Sequence, residues 1–314
     1  MEHPSLSGDT GSGTRGGGSA MPGGVPEVSA GKHAADPSSQ PAQAHAAPGL
    51  PDVARRQSAT ESCLAGVALR QKIDEWILPL RSVGQTRLDV EIGERLRRVA
   101  PLQLCLCVLT DHGCAGLEAL APRLHGTLPA DLRRLYASLI VERDPLLTRA
   151  TQEWCTLMGS IEEHCAWLRD HTRNADVIRA WLARVGAFGA AHLAVVPARG
   201  WLSRGAVFAF HEQRPRDAEV FALFYAAQRL AVTLELRERP YLAELLAMRF
   251  TARELDVLRA GLRGAPDDEI ASRLGLSVDA IRYYFKKFKH RVPATIGHLK
   301  PRELARILHQ MGKL

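Results

Sequence analysis

From about residue 63 the chain sets apolar positions among polar ones at two periods. "CLAGVALRQKIDEWILPLRS" and "DVEIGERLRRVA" return to an apolar residue every three or four positions, which predicts helices. "LQLCLCVLT" (102–110) is instead a short, nearly continuous apolar run between Pro101 and Asp111, the signature of a buried strand. "PADLRRLYASLI" is again helical and opens on a proline. "SIEEHCAWLRDHTRNADVIRAWLARVG" holds one or two helices, with Ser160 and Glu163 spaced as a capping box. "AAHLAVVP" and "GAVFAFHE" predict two strands joined by "ARGWLSR" as a hairpin. "PRDAEVFALFYAAQRLAVTLELRERPYLAELLA" predicts a long helix, broken near Pro240. The order is helix, strand, helices, hairpin, helix. Its simplest packing is an α/β/α sandwich around an antiparallel sheet, over residues 61–240.

The last 67 residues carry only the helical period. Thr251 and Glu254 form a second capping box, and Gly264 closes the helix they open. "PDDEIASRLG" predicts a second helix with its acids in the first turn, where the helix dipole favours them. "GLS" (275–277) makes a tight turn, Ser277 caps a third helix running to about Val292, and "KPRELARILHQM" is a fourth. Two helices joined by a short Gly-containing turn make a helix-turn-helix. The predicted fold class is α+β, the sandwich being followed by an all-α four-helix domain at 246–312. On the third helix Ile281, Tyr284 or Phe285, Phe288 and Val292 fall on one apolar stripe. Val278, Asp279, Arg282, Tyr283, Lys286, Lys289 and His290 lie largely off it. Most of the aromatics in "AIRYYFKKF" are therefore core, and Tyr283 is the surface exception. A solvated basic helix is the plain alternative for that outer face.

Residues 1–60 break both periods. Gly, Pro, Ser and Ala dominate and aromatics are missing, so the segment has too little apolar surface to offset chain entropy and is expected to be a disordered extension.

Charge sharpens the picture. The chain carries a formal +7. From Met248 to Leu314 there are 14 Lys and Arg against 7 Asp and Glu, an excess equal to the whole, while the remainder balances at 27 of each sign. Charge confined to the helix-turn-helix tail points to a polyanionic partner, double-stranded DNA, whose major groove Arg and Lys side chains can read. No run approaches the roughly 18 apolar residues of a membrane helix, and the N-terminus lacks the layout of a signal peptide. A cytoplasmic protein without a membrane partner is expected. The six cysteines (Cys63, Cys105, Cys107, Cys114, Cys155, Cys165) form no CxxC pair. Even with His112 beside Cys114, they suit buried thiols in a reducing compartment better than a metal site. Neither a phosphate-cradling glycine loop nor a nucleophile elbow is visible, which argues against an enzyme.

"FTARELDVLRAGLRGAPDDEIASRLGLSVDAIRYYFKKFKHRV" resembles the DNA-binding domain of LuxR-type transcriptional regulators, over about 250–312. The family's Thr-x-x-Glu stands here as Thr251 and Glu254, its Glu-Ile-Ala as Glu269, Ile270 and Ala271, and its turn as Leu274-Gly275-Leu276-Ser277. The usual Thr-Val-Lys is Ala280-Ile281-Arg282, and the usual His is Tyr284. The residues on the outer face and cap of the third helix, Ser277, Asp279, Arg282, Tyr283, Lys286, Lys289 and His290, are the candidate DNA contacts. The resemblance also implies a homodimer on a palindromic site.

The front half is similar, in its order of elements, to the acyl-homoserine-lactone-binding domain of quorum-sensing regulators. There is no receiver-domain pattern of alternating strands and helices with an acidic pocket. In "LPADLRRLYASLIVERDPLLTRA", Tyr136 takes the place of the family's Tyr, which bonds the acyl carbonyl. Asp144-Pro145 takes that of its Asp-Pro, whose Asp receives the ligand amide. Gly189 matches the family's Gly before the hairpin. The Trp that donates to the lactone carbonyl is replaced by Leu132, which has no donor. A second family Trp falls near Met158 or Gly159, with Trp154 close but off register. The resemblance thus names Leu132, Tyr136, Asp144 and Trp154 as ligand-binding positions, with an acyl-homoserine lactone or another small signal molecule as the candidate ligand and no other cofactor. The plain alternative for Tyr136 and Asp144 is a surface tyrosine and a helix cap. Three functions follow: a DNA-binding regulator with an altered sensor pocket (another ligand or none), a true lactone receptor, or an anti-activator that works by heterodimerisation.

Overall fold

A computed structural model of the chain describes residues 66–111, 121–173 and 175–314. The predicted extension 1–60, Cys63, His112 and Cys114 lie outside the described residues. α1 (residues 66–77) runs into a 3-10 turn at Leu78–Ser82, and α2 spans Gln85–Val99. Five strands follow in one antiparallel sheet: β1 Leu104–Asp111, β2 Arg123–His125, β3 Leu157–Ser160, β4 His192–Arg199 and β5 Ser203–His211, in the spatial order β2-β1-β5-β4-β3. Between β2 and β3 lie α3 (Ala130–Leu135), a π turn at Tyr136–Ile140, a 3-10 turn at Val141–Arg143 and α4 (Pro145–Gln152). α5 (Ile161–His171) and α6 (Ala175–Gly186) precede β4, and α7 (Asp217–Glu238) follows β5.

The strand alternation divides the core into two layers. Cys105, Cys107, Leu109, Val196, Val207 and Ala209 face α1, α2 and α7. Leu106, Val108, Leu193, Val195, Phe208 and Phe210 face the layer of α3 to α6. This is an α/β/α sandwich on an antiparallel sheet. β2 and β3 escape a reading by periodicity. Both are sheet edges of three and four residues, paired only to β1 and β4 respectively.

The tail folds as α8 (Tyr241–Ala247), α9 (Ala252–Leu262), α10 (Asp267–Leu274), α11 (Val278–Arg291) and α12 (Pro301–Gln310). α7 breaks at Arg239-Pro240, as proline dictates. The capping boxes at Ser160/Glu163 and Thr251/Glu254 form with both bonds present. Gly275 ends α10 at φ +61°, a left-handed position glycine occupies without a steric penalty. Ser277 Oγ accepts the Ala280 amide at 3.1 Å and starts α11.

The β4–β5 loop, residues 200–202, reaches into the tail. Leu202 belongs to the same hydrophobic cluster as Leu245, Val257, Ile281 and Leu304, and Trp201 packs against it. Glu235, buried on α7, holds the loop by accepting the amides of Trp201 (2.6 Å) and Leu202 (2.7 Å). A Cβ on Gly200 would stand 2.4 Å from Glu235 Oε2, so a larger residue would have to push aside the carboxylate that holds the loop.

Candidate functional site

Two regions hold the residues that sequence reading singled out. In the first, the widened π turn presents Tyr136 to the sheet, fully buried. Its hydroxyl donates to Asp144 Oδ2 at 2.6 Å. Asp144 is itself buried and caps α4, its Oδ1 accepting the amides of Leu146 (2.8 Å) and Leu147 (3.4 Å) ahead of a proline at the first helical position. Burial pushes the Asp144 carboxyl up, against the bonds from Tyr136 and the two amides. Burial, and then the Asp144 charge, pushes the Tyr136 phenol far above its ordinary value. The proton of this pair therefore stays on the phenol.

Leu132 is one turn away and buried. An indole does reach it, from a different element. Trp181 on α6 is fully buried, donates its Nε1 proton to the Leu132 carbonyl at 3.0 Å, and packs 4.9 Å from the Tyr136 ring, centroid to centroid. Phe208 stands edge-on at 5.6 Å from Tyr136 and 6.4 Å from Trp181, and Phe210 at 6.0 Å from Trp181. These rings, with Leu106, Leu168 and Leu182, fill the space between the sheet and α3–α6. Trp154 is not among them. It sits after α4 with φ +52°, 40 % exposed, edge-on to Phe224 of α7 at 6.2 Å. The structure thus brings Leu132, Tyr136 and Asp144 together and leaves Trp154 outside. Tyr136 is no surface tyrosine, while Asp144 is indeed a helix cap. Met158 and Gly159 lie on the edge strand β3, and Gly189 has φ +86° before β4.

A chain of charged side chains, brought together from distant parts of the sequence, runs along the β2 edge from this cluster to the start of the tail. Arg133, beside Leu132, pairs with Asp89 of α2. Asp89 Oδ1 also accepts the Gly126 amide at 3.1 Å and faces His125 Nδ1 at 3.5 Å. His125 Nε2 stands 3.2 Å from Glu238 Oε1, Glu238 pairs with Arg123, and Arg123 Nη2 lies 3.0 Å from Asp111 Oδ1. Asp111 pairs with Arg239, whose Nη1 is 3.5 Å from Glu235 Oε1. Burial disfavours the charged forms of Asp89, His125, Glu238 and Glu235. For Asp89 the bonds to His125, Arg133 and Gly126 prevail and bring the carboxyl to about 2. For His125 burial lowers the pKa, but the two carboxylates outweigh it and raise the imidazole above its usual value. For Glu235 burial prevails and the carboxyl is raised, despite the Trp201 and Leu202 amides and Arg239.

Among the described residues no group of three His, Cys, Asp or Glu is arranged to hold a metal ion. Cys105, Cys107, Cys155 and Cys165 are free thiols, the first two buried and pushed towards the protonated form by that burial. No described helix is long and apolar enough to cross a membrane.

The second region is α11. Ile281, Phe285 and Phe288 are buried in the tail's core, with Val292 just beyond the helix. Of the two aromatics left open by spacing, Phe285 takes the inner place and Tyr284 is half-buried. Val278, placed off the stripe by spacing, is half-buried against that core. Ser277, Asp279, Arg282, Tyr283, Lys286, Lys289 and His290 are all exposed. Arg282 is drawn towards two carboxylates, Asp279 (3.5 Å) and Asp267 of α10 (3.8 Å). Two further basic residues of α11 turn the other way. Lys287 Nζ reaches Glu254 Oε1 at 3.1 Å and Arg291 Nη1 reaches it at 2.9 Å, while Arg291 also covers the Phe250 ring at 5.5 Å. Glu254 is buried beneath them. Burial opposes its ionisation, but the Thr251 amide, Lys287 and Arg291 prevail and bring its carboxyl to about 2. One capping-box glutamate therefore fixes the start of α9 and anchors the side of α11.

No family model matches the sequence, and a search of curated proteins finds no match. Solved structures of similar shape include SdiA of Escherichia coli, at a TM-score of 0.47 and 14 % identity over 79 % of this chain and 98 % of that one. They also include SdiA in complex with octanoyl-rac-glycerol, at 0.46 and 15 % identity over 78 % and 94 %.

Proposed function

We propose that this chain is a DNA-binding transcriptional regulator of the LuxR type whose sensor-like domain is closed around its own side chains. One observation carries the DNA-binding part. α11 is clamped on one side by Glu254 and buried on its apolar stripe, and it presents Arg282, Lys286, Lys289 and His290 outward from a helix-turn-helix. A rigid helix with a basic outer face suits the major groove. As a dimer it would set two such helices roughly 34 Å apart on a palindrome.

The closure follows from the first region. The two groups that would meet an acyl amide, Tyr136 and Asp144, bond each other, and the Trp181 indole beside Leu132 spends its proton on a backbone carbonyl. A lactone entering there would displace Trp181 and break both bonds, each costing about 1 kcal/mol beyond the lost packing. Common acyl-homoserine lactones are not the ligand of this site on this reading.

The test uses the full chain and duplex DNA. Affinity is expected to fall steeply with salt, and Lys286→Glu to weaken binding on every sequence with a salt slope shallower by about one. Binding that ignores both salt and Lys286→Glu would refute the assignment of α11. Weak DNA binding together with tight capture of another regulator would favour the anti-activator. Sub-micromolar binding of a lactone by calorimetry would reinstate the receptor.

A further inference from the structure

The helical period of about 100° per residue sorts α11 into faces. Opposite the buried Ile281, Phe285 and Phe288 runs a row of Asp279, Tyr283, Lys286 and His290, the part of the helix farthest from the domain core. Tyr283 is 61 % exposed, the most exposed large hydrophobic side chain among the described residues. It is the sixth residue of the helix, in the half that enters a groove first. Its ring stands edge-on to Tyr284 at 6.1 Å and 66°, and Tyr284 is rooted in the tail's core. The ring is thus propped outward by a fixed neighbour. Asp279, Lys286 and His290 are polar, so the ring is the apolar feature of the row, and its neighbour Arg282 lies within ion-pair distance of Asp279 and Asp267.

In the major groove the one apolar mark on a base pair is the thymine C5-methyl group. We propose that Tyr283 is a specificity-determining residue that packs on a thymine methyl in the bound DNA site. This deepens the regulator reading and rests on it. A propped, flat, apolar ring offers a methyl group the burial that a hydrated Lys or Arg tip does not. Loss of a buried methyl corresponds to about a four-fold change in affinity.

The experiment first selects a duplex from a randomised library with the full wild-type chain. Each thymine of that duplex is then replaced in turn by uracil, which removes only the methyl group. At one position, or one per half-site, the wild type is expected to lose about four-fold in affinity. Tyr283→Phe should show the same loss. Tyr283→Ala should bind the thymine duplex more weakly and make no distinction between thymine and uracil. Its melting temperature serves to confirm an intact fold. If thymine and uracil bind equally throughout, or if Tyr283→Ala still distinguishes them, the proposal is overturned. It is also overturned if Tyr283→Phe loses as much as Tyr283→Ala, since the phenol oxygen would then be the contact. A wild-type chain that selects no duplex sinks the regulator reading itself, an outcome distinct from equal binding of the two bases.

Discussion

Trp181 Nε1 donates to the carbonyl oxygen of Leu132 at 3.0 Å, across 49 residues of sequence. The indole beside Leu132 comes from α6, and it is packed as core. This changes what restoring a tryptophan at 132 should do. Leu132→Trp would place a second indole against one already packed 4.9 Å from Tyr136. Overpacking of this kind costs about 1–3 kcal/mol. Chemical denaturation should show that loss, and calorimetry should show no gain in lactone binding. A stable variant that binds a lactone ten-fold more tightly would mean that the site opens readily.

Tyr136→Phe deletes the proton that Asp144 accepts and leaves a buried carboxylate short of a donor, a loss of about 1–3 kcal/mol near neutral pH. The sign of its pH dependence is fixed. Asp144 already titrates above its ordinary 3.8, so its contribution to stability is greatest below that pH and shrinks as pH rises through the folded value. Removing Tyr136's bond raises that value further. Denaturation curves at pH 4 and pH 7 should therefore show the variant closer to wild type at the lower pH.

Glu254 behaves in the opposite sense. Its folded carboxyl is held at about 2 against an ordinary 4.5. The stabilisation it provides is complete above 4.5 and is lost as pH falls towards 2. Glu254→Gln should melt lower at pH 7 and lose that part of the acid-side slope. The loss of helicity on acidification should begin in α9 and α11, read by amide hydrogen exchange.

His125 gives a third window. Its imidazole is raised above 6.5 by Asp89 and Glu238, against burial. Its stabilisation is full below 6.5 and declines as pH climbs through the raised value. His125→Gln should flatten the melting-temperature profile on that side. An unchanged profile would show that the β2-edge chain holds together without the imidazolium.

The tail could be read residue by residue because its signals are local. Thr251/Glu254, Gly275 and Ser277 each act within three or four residues, so spacing alone locates them. The sandwich depends on distant partners. "RLH" and "LMGS" become strands only beside β1 and β4. Trp181 shares a helical stripe with Ile178, Leu182 and Val185, a pattern that is local to α6. Its bond to Leu132 is not local. The same holds for Arg133, Asp89, His125, Glu238, Arg123, Asp111 and Arg239. Each looks like an ordinary surface charge until five separate elements bring them side by side. Trp154 was placed by nearness in number, whereas the chain turns it out towards Phe224. Nothing local in the sequence separates Lys287 and Arg291 from the outward Lys286 and Lys289. Glu254, 33 and 37 residues earlier, draws them in.

The loop at 200–202 has a consequence for cooperativity. Because Leu202 completes the tail's core and Glu235 pins its amide to α7, opening the hairpin tip and opening the helix-turn-helix are not independent events. The sandwich and the tail are expected to unfold as one unit through this seam, and calorimetry should record a single transition in which both lose structure together. Severing the chain after α7 would take the loop away from Leu242 and Leu245 and leave the tail with an uncovered apolar face. The packing of α11 is thereby tied, through Leu202, to a hairpin that belongs to the sheet.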